Sequence, residues 1–297
     1  MTKYHKMDYR NVITNEFRDY LWKGQWAENT IYNYCNKINR FIRFLNGKSV
    51  TKIVKTDIVN YVDSLKEEIT NNKKLKVSSV NFKIAAINKF LKCLKKEDLK
   101  AKNLYVHKKV FLDDGEILTG KEVEVLINVA NKHKNKRLYW VLRILFQTGM
   151  RISELEYLTV EDLRKGAVDV YNKSGYRPIP ISEDLADELL NYCAENGITT
   201  GIVIRTRNNK RVHRTVISRA IKKLAKSVDI AERKAHPHSF RHAFARSFLK
   251  RECGTLEMLA DILGHRSITT TRVYTKDSLS NIRKTMTLDR LGIKIAS

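Results

Sequence analysis

Apolar residues recur at three- and four-residue intervals through the first hundred positions, a period that predicts helices. A first helix spans roughly Asn11–Trp22. Thr30 reads as an N-cap for IYNYCNKINRFIRFL, whose Ile31, Tyr34, Ile38, Phe41, Ile42 and Leu45 form one stripe. Thr56 opens DIVNYVDSLKEEI in the same way. Ser78 or Ser79 opens VNFKIAAINKFLKCLKK, with Phe82, Ala85, Ala86, Phe90 and Leu94 at helical spacing. From about Leu99 to Leu118 the period fails and Lys, His and Asp accumulate, which predicts an extended linker. A capping box at Thr119-x-x-Glu122 starts a new helical region. An apolar helix over Arg137–Thr148 follows, with Trp140, Leu142, Ile144, Leu145 and Phe146 expected inside. Thr159-x-x-Asp162 resembles a second capping box. The one convincing sheet is a hairpin of Ala167–Tyr171 and Arg177–Ile181 around the turn-rich Asn172–Tyr176. Helices dominate from Ser182, with breaks near Ile202–Arg205 and Ala235. The pattern predicts a mainly α protein with a small β-hairpin: a helical domain over 1–103, a linker over 104–117, and a second domain over 118–297.

Charge narrows the class. The chain has 57 Lys and Arg against 32 Asp and Glu, a formal net charge of +25. Residues 1–110 carry 24 basic against 10 acidic side chains, and the remainder 33 against 22, so the excess is no local tail. Solvated lysine-rich faces account for part of it, but so few acidic residues point to a polyanionic partner. Nucleic acid leads. An anionic membrane is the runner-up, but no apolar run approaches the roughly 20 residues of a spanning helix. MTKYHKMDYR lacks the apolar core of a signal peptide, which predicts a cytoplasmic protein. Cys35, Cys93, Cys193 and Cys253 are scattered, as reduced thiols would be.

The most informative stretch is HPHSFRHAFARSFLKRECGTLEMLADILGHRSITTTRVY, from His236 to Tyr274. Pro237 suits a first helical turn, and His238 and Arg241 then share a face. Leu-Gly-His ends at His265, and Tyr274 lies nine residues on. Upstream, TGMRISEL supplies Arg151 and Glu154. An arginine pair binds and offsets the charge of a phosphodiester, and a tyrosine oxygen is a nucleophile that keeps the product attached. Lys173 in the hairpin turn could protonate a leaving oxygen, and histidines near neutrality could exchange protons. Taken singly, each has a plainer role. Arg151 could be a structural arginine, His238 a satisfied histidine, Lys173 a solvated turn residue, Glu154 a surface carboxylate, and Tyr274 one of 13 tyrosines. His236, His238 and His242 could suggest zinc, but no carboxylate stands in the H-E-x-x-H position and no further ligand cluster follows, so no metal is expected. His236 and His242 are left as structural.

In that order these residues resemble the tyrosine recombinase, or phage integrase, family, whose motif runs Arg, Lys, His-x-x-Arg, His or Trp, Tyr. The resemblance implies Arg151 and Arg241 as clamp, Glu154 as support, Lys173 as general acid, His238 in proton transfer, His265 on the phosphate and Tyr274 as nucleophile. WAENTIYNYCNKINRFIRFL is similar to the family's core-binding domain, so nearly the whole chain is covered. The Lys173 hairpin is shorter than the common family form. In size the chain resembles the Xer proteins and compact transposon recombinases. The resemblance implies two domains gripping double-stranded DNA at an inverted-repeat core site, and strand exchange through 3′-phosphotyrosine links and a Holliday junction. It needs neither metal nor cofactor. It also implies a tetramer on DNA, accessory or directionality proteins, and a prokaryotic, nucleoid-associated setting. A C-terminal tail from about residue 278 would dock on a neighbouring protomer, with packing on its own domain as the alternative. A type IB topoisomerase and a non-catalytic DNA-binding regulator are the alternatives.

Overall fold

The computed structural model describes residues 5–70, 73–106, 117–133, 136–172, 175–265 and 267–275. The chain divides into two compact units, Met1–Lys108 and Lys109–Ser297. The segment of the expected C-terminal tail lies outside the described residues. Among the described residues no helix is long and apolar enough to cross a membrane.

The first unit is built from α1 (His5–Lys23), α2 (Glu28–Phe44), α3 (Lys55–Glu67) and α4 (Val77–Cys93). The α2 stripe is buried as its spacing predicts, with Ile31, Tyr34, Ile38, Phe41 and Ile42 inward. The helix begins a turn before Thr30. The Ala27 carbonyl accepts from the amides of Thr30 and Ile31 at 2.8 and 2.9 Å, and Glu28 favours the positive end of the helix dipole. Likewise α3 starts ahead of Thr56, where the Asp57 carboxylate accepts the Val54 N–H at 2.8 Å. The expected face of α4 is the larger error. Phe82 is 43% exposed, and Val80, Ile84, Ile87 and Leu91 fill the core beside Ala86 and Phe90. Phe82 instead packs edge-on to Tyr34, with the Lys37 ammonium 6.0 Å from its ring centre. A second sheet, of two-residue strands β1 (Ile69–Thr70) and β2 (Lys73–Lys74), was not anticipated; such short strands leave no alternation to read. Beyond α4 the chain is pinned rather than free. Asn88 exchanges two hydrogen bonds with the backbone of Ala101, both 2.9 Å, and Asn81 two with Leu104, both 2.8 Å.

The second unit opens with α5 (Gly120–Asn131), whose Thr119–Glu122 capping box forms as its spacing predicts. Next come α6 (Arg137–Thr148), a 3₁₀ turn (Ile152–Tyr157) and α7 (Val160–Lys165), the last capped by Thr159 and Asp162. Strands β3 (Ala167–Asn172) and β4 (Gly175–Pro180) pair antiparallel from Ala167↔Pro180 to Asn172↔Gly175, a tighter hairpin than the sequence pattern suggests. Then follow α8 (Glu183–Glu195), α9 (Arg214–Lys226), α10 (Pro237–Lys250), α11 (Leu256–Leu263), α12 (Ile268–Thr271) and a 3₁₀ turn (Arg272–Thr275). Trp140, Val141, Leu142, Ile144 and Leu145 of α6 are buried at the centre, while Phe146 is only half-buried. Helices α6 and α10 pack together, and their ends position the site.

Candidate active site

The site begins where α6 stops. Gly149 caps the helix at φ +63°, a left-handed conformation that costs other residues energy. A Cβ there would also lie 2.4 Å from the Phe244 ring, so glycine is required twice over. The turn releases Arg151 in extended geometry, and Glu154 folds back onto it. One Glu154 oxygen accepts the Arg151 amide at 2.7 Å, and the other accepts its guanidinium at 2.9 Å. Arg151 keeps a side-chain exposure of 36% while Glu154 is buried. Burial alone would raise the Glu154 pKa. Its bonds from the Arg151 amide and from Arg177 outweigh that, and hold it below the usual carboxylate range.

The second arginine comes from α10. Pro237 sits in the first turn, and the His236 ring, as N-cap, accepts the Ser239 amide at 3.2 Å. His236 thus has the structural part left to it. Arg241, one turn in, is 1% exposed and is the bulkiest fully buried side chain among the described residues. Its Nη1 donates to the Gly149 carbonyl at 2.7 Å and its Nη2 to the Leu263 carbonyl at 2.5 Å. Its Nε is buried without a partner. These acceptors are neutral dipoles, so the charge is seated but not cancelled. Burial first, then the neighbouring Arg151, lowers the Arg241 pKa to about 10.

Glycine recurs at the end of α11. Gly264 has φ +63° and turns the chain so that His265 faces Arg241. The His265 Nε2 lies 3.1 Å from Arg241 Nη2, and its Nδ1 2.9 Å from Thr271 Oγ1. A guanidinium only donates, so Nε2 accepts and the Nδ1–H donates to threonine. The ring is thereby held neutral in one tautomer. Burial first, then Arg241 and Arg151, push its pKa down to about 4.

Tyr274 closes the group from the final 3₁₀ turn. It is 7% exposed, stacked on His265 at 6.1 Å between centroids and edge-on to His242 at 5.1 Å. Burial raises its pKa, opposed by the charges of Arg241 and then Arg151. His238 lies 4.5 Å from His242, ring to ring, and burial and then Arg241 lower its pKa. Arg151, Glu154, His238, Arg241, His265 and Tyr274 therefore meet in one place. Lys173 lies outside the described residues. Among the described residues no group of three or more His, Cys, Asp or Glu side chains is arranged to hold a metal.

Two neighbours escaped the sequence pattern. Arg177 on β4 is buried, and its Nη2 donates to Glu154 at 2.6 Å. It shares strand parity with Ile179 and Ile181, and a cation in an apolar row was the available signal. His242, expected to be merely structural, packs between His238 and Tyr274 with a buried, unpartnered Nδ1. Its α-helical offset of one turn from His238 was the only hint. Two guanidinium groups thus share one carboxylate while a third, Arg241, has none, an arrangement that suits an incoming anion.

Residues 116–280 match the phage integrase family, and residues 13–101 match the phage integrase N-terminal SAM-like domain. The chain is 28% identical to a tyrosine recombinase of Pseudothermotoga lettingae, over 88% of this chain and 92% of that protein. It is also 28% identical to the tyrosine recombinase XerA of Pyrococcus furiosus, over 93% of both. Its fold resembles a lambda integrase(75-356) dimer bound to a core site, with a TM-score of 0.71 at 17% identity, covering 90% and 95% of the chains. It also resembles the Tn1549 transposon integrase in complex with transposon right end DNA, with a TM-score of 0.68 at 18% identity, covering 94% and 99%. With the family match spanning more than half of its length, the chain belongs to the phage integrase family of tyrosine recombinases.

Proposed function

We propose that this protein recombines double-stranded DNA at an inverted-repeat core site through a covalent phosphotyrosine intermediate. The observation that carries the reading is the gathering of Arg151, Arg241, two histidines and Tyr274 around a surplus of positive charge. Arg151 and Arg241 clamp the non-bridging oxygens of the scissile phosphate and stabilise the charge of the pentavalent transition state. The Tyr274 oxygen attacks phosphorus, its proton passing to His238, which burial keeps neutral. A tyrosine–phosphorus bond forms at the 3′ side. The bond to the 5′ oxygen breaks, and Lys173 protonates that oxygen. His265 joins the phosphate once an oxygen of the anion takes over Arg241 Nη2. The anion's charge raises the imidazole pKa, and the protonated ring can then donate. Glu154 supports Arg151. Attack by a 5′ hydroxyl on the phosphotyrosine reverses these steps and rejoins the strand without an external energy source.

We further propose the helical domain (1–103) and the catalytic domain (118–297), joined by a linker at 104–117, as two DNA-contacting modules. The SAM-like match and the two compact units support that division. A lambda integrase tetramer bound to a Holliday junction shares the fold, with a TM-score of 0.71, and supports a tetramer here. Accessory proteins would set direction, and the setting would be the nucleoid of a prokaryotic cell.

The test is capture of the intermediate. The full-length protein is incubated with a pool of nicked synthetic duplexes carrying randomised arms around a short spacer, and covalently bound DNA is recovered and sequenced. The expected product is a denaturation-resistant adduct on an inverted repeat, lost in Tyr274→Phe. An adduct that persists at normal level in Tyr274→Phe would overturn the assignment.

A further inference from the structure

The mechanism above gives Arg177 no part, yet its placement is costly. Its side chain is 8% exposed on the inward row of β4, between the hairpin and the site. An apolar residue would suit that row better, since a buried cation stabilises a fold only where its partners compensate for lost hydration. Arg177 has partners on two separate segments. Its Nη2 donates to Glu154 at 2.6 Å, on the same oxygen that takes the Arg151 amide. Its Nη1 donates to the Ile262 carbonyl, and the next carbonyl, of Leu263, holds Arg241. The glycine before His265 is fitted to it as well. A Cβ on Gly264 would lie 2.4 Å from Arg177 Cδ and 2.6 Å from its Nε. One guanidinium therefore meets the support of the first clamp arginine, the helix end that seats the second, and the turn that presents His265.

We propose that Arg177 is a positioning residue that sets both clamp arginines and couples the β3–β4 hairpin to them. It acts through Glu154 on one side and the end of α11 on the other, and it touches no substrate. The planar fork is what the role needs, because two acceptors on different segments must be held at a fixed angle. A lysine keeps the charge but cannot span both. The inference rests on the recombinase reading of the site.

The test uses the full-length protein and the nicked duplex recovered with wild type. The rate of adduct formation at saturating DNA and the dissociation constant are measured separately for Arg177→Gln and Arg177→Lys. The expected result is a rate loss of about 100-fold for glutamine and about 10-fold for lysine, with affinity within threefold of wild type. In a Glu154→Gln background, Arg177→Gln should add little, because the two act as one unit. A merely structural arginine would lower the melting temperature and leave the rate of the folded protein untouched. Either variant folded and cleaving at the wild-type rate would overturn the proposal, as would a full multiplicative loss on top of Glu154→Gln. Where Arg177→Gln does not fold, Arg177→Lys decides. Failure of wild type to form any adduct would sink the recombinase reading, and this one with it.

Discussion

The two units bury charge in opposite ways. In the first, Lys83 is inside the bundle with its ammonium 2.5 Å from Glu68, and the same carboxylate takes Arg40 at 2.8 Å. The buried cation is paired directly with a carboxylate, and the arrangement is closed. In the second, Glu154 is shared between Arg151 and Arg177, and Arg241 rests on two backbone carbonyls with no carboxylate of its own. Burying a charge without a counter-ion is unfavourable, and folds avoid it unless function demands it. The first arrangement holds a fold together. The second leaves positive charge waiting for a phosphate.

The arginine side and the lysine side of this contrast are expected to respond differently to substitution. Arg241→Lys keeps a cation but loses the planar fork seated on Gly149 and Leu263. The rate of adduct formation is expected to fall by about 100- to 1,000-fold, with a much smaller loss of DNA affinity. Single-turnover cleavage beside a binding isotherm separates the two. Equal losses in rate and affinity would reduce Arg241 to a DNA-holding residue and remove the contrast.

Glycines draw the same distinction. Gly47 in the first unit and Gly149 in the second both have positive φ, +89° and +63°. A methyl group on Gly47 meets nothing within 4 Å, whereas on Gly149 it meets Phe244 at 2.4 Å and Leu263 at 3.1 Å. Gly47→Ala is expected to cost about 1 kcal/mol, the backbone penalty alone. Gly149→Ala adds overpacking and is expected to cost roughly 2–4 kcal/mol in all. It also displaces the carbonyl that holds Arg241, so cleavage should fail even in the folded fraction. Denaturant titration of both variants checks the ranking.

How far the sequence was readable follows the range of the interactions involved. The two capping boxes form as written because each needs only four consecutive residues. The α2 stripe was legible because one face holds nearly all of its large apolar side chains. On α4 two apolar stripes compete, and tertiary packing chose the one with Ile84, Ile87 and Leu91 over that with Phe82. The site residues could be named from motif order, and six of the seven do meet, the seventh, Lys173, lying outside the described residues. Arg177 could not, because its burial depends on Glu154, 23 positions earlier, and on Ile262, 85 positions later. Nor does any local pattern say that His242 faces the tyrosine.

The histidines give the contrast a pH signature. His242 is buried against His238 and Tyr274, and burial first, then His238, lowers its pKa from 6.5 to about 4. It is neutral in the folded state and takes up a proton more readily when unfolded. Stability contributed by the neutral ring is therefore present above pH 6.5 and falls as pH drops toward 4. The expected slope is up to about 1.4 kcal/mol per pH unit for this one group. His242→Gln should reduce the slope of the stability profile in that window, leaving the part set by His265 and its neighbours and the part set by carboxylates at lower pH. Denaturant midpoints measured between pH 7 and 4.5 test it, and an unchanged slope in His242→Gln would mean the ring is protonated in the fold.

The smallest effect on cleavage belongs to the closed pair. Lys83→Met removes an ammonium that touches Glu68 and leaves a side chain of similar length in the apolar interior of the first unit. Glu68 is not stranded, because Arg40 still bonds its other oxygen and part of it reaches solvent. The loss should therefore fall below that of a fully orphaned ion, at about 1–3 kcal/mol. Changing the carboxylate too, in Lys83→Met with Glu68→Leu, should recover much of it, since an apolar pair can replace a closed ion pair at little cost. Cleavage at saturating DNA should match wild type in both variants, because nothing in this pair is kept for a substrate. Rate loss in the folded double variant would show that the first unit's charges also serve the reaction, and the division between the two kinds of buried charge would fail.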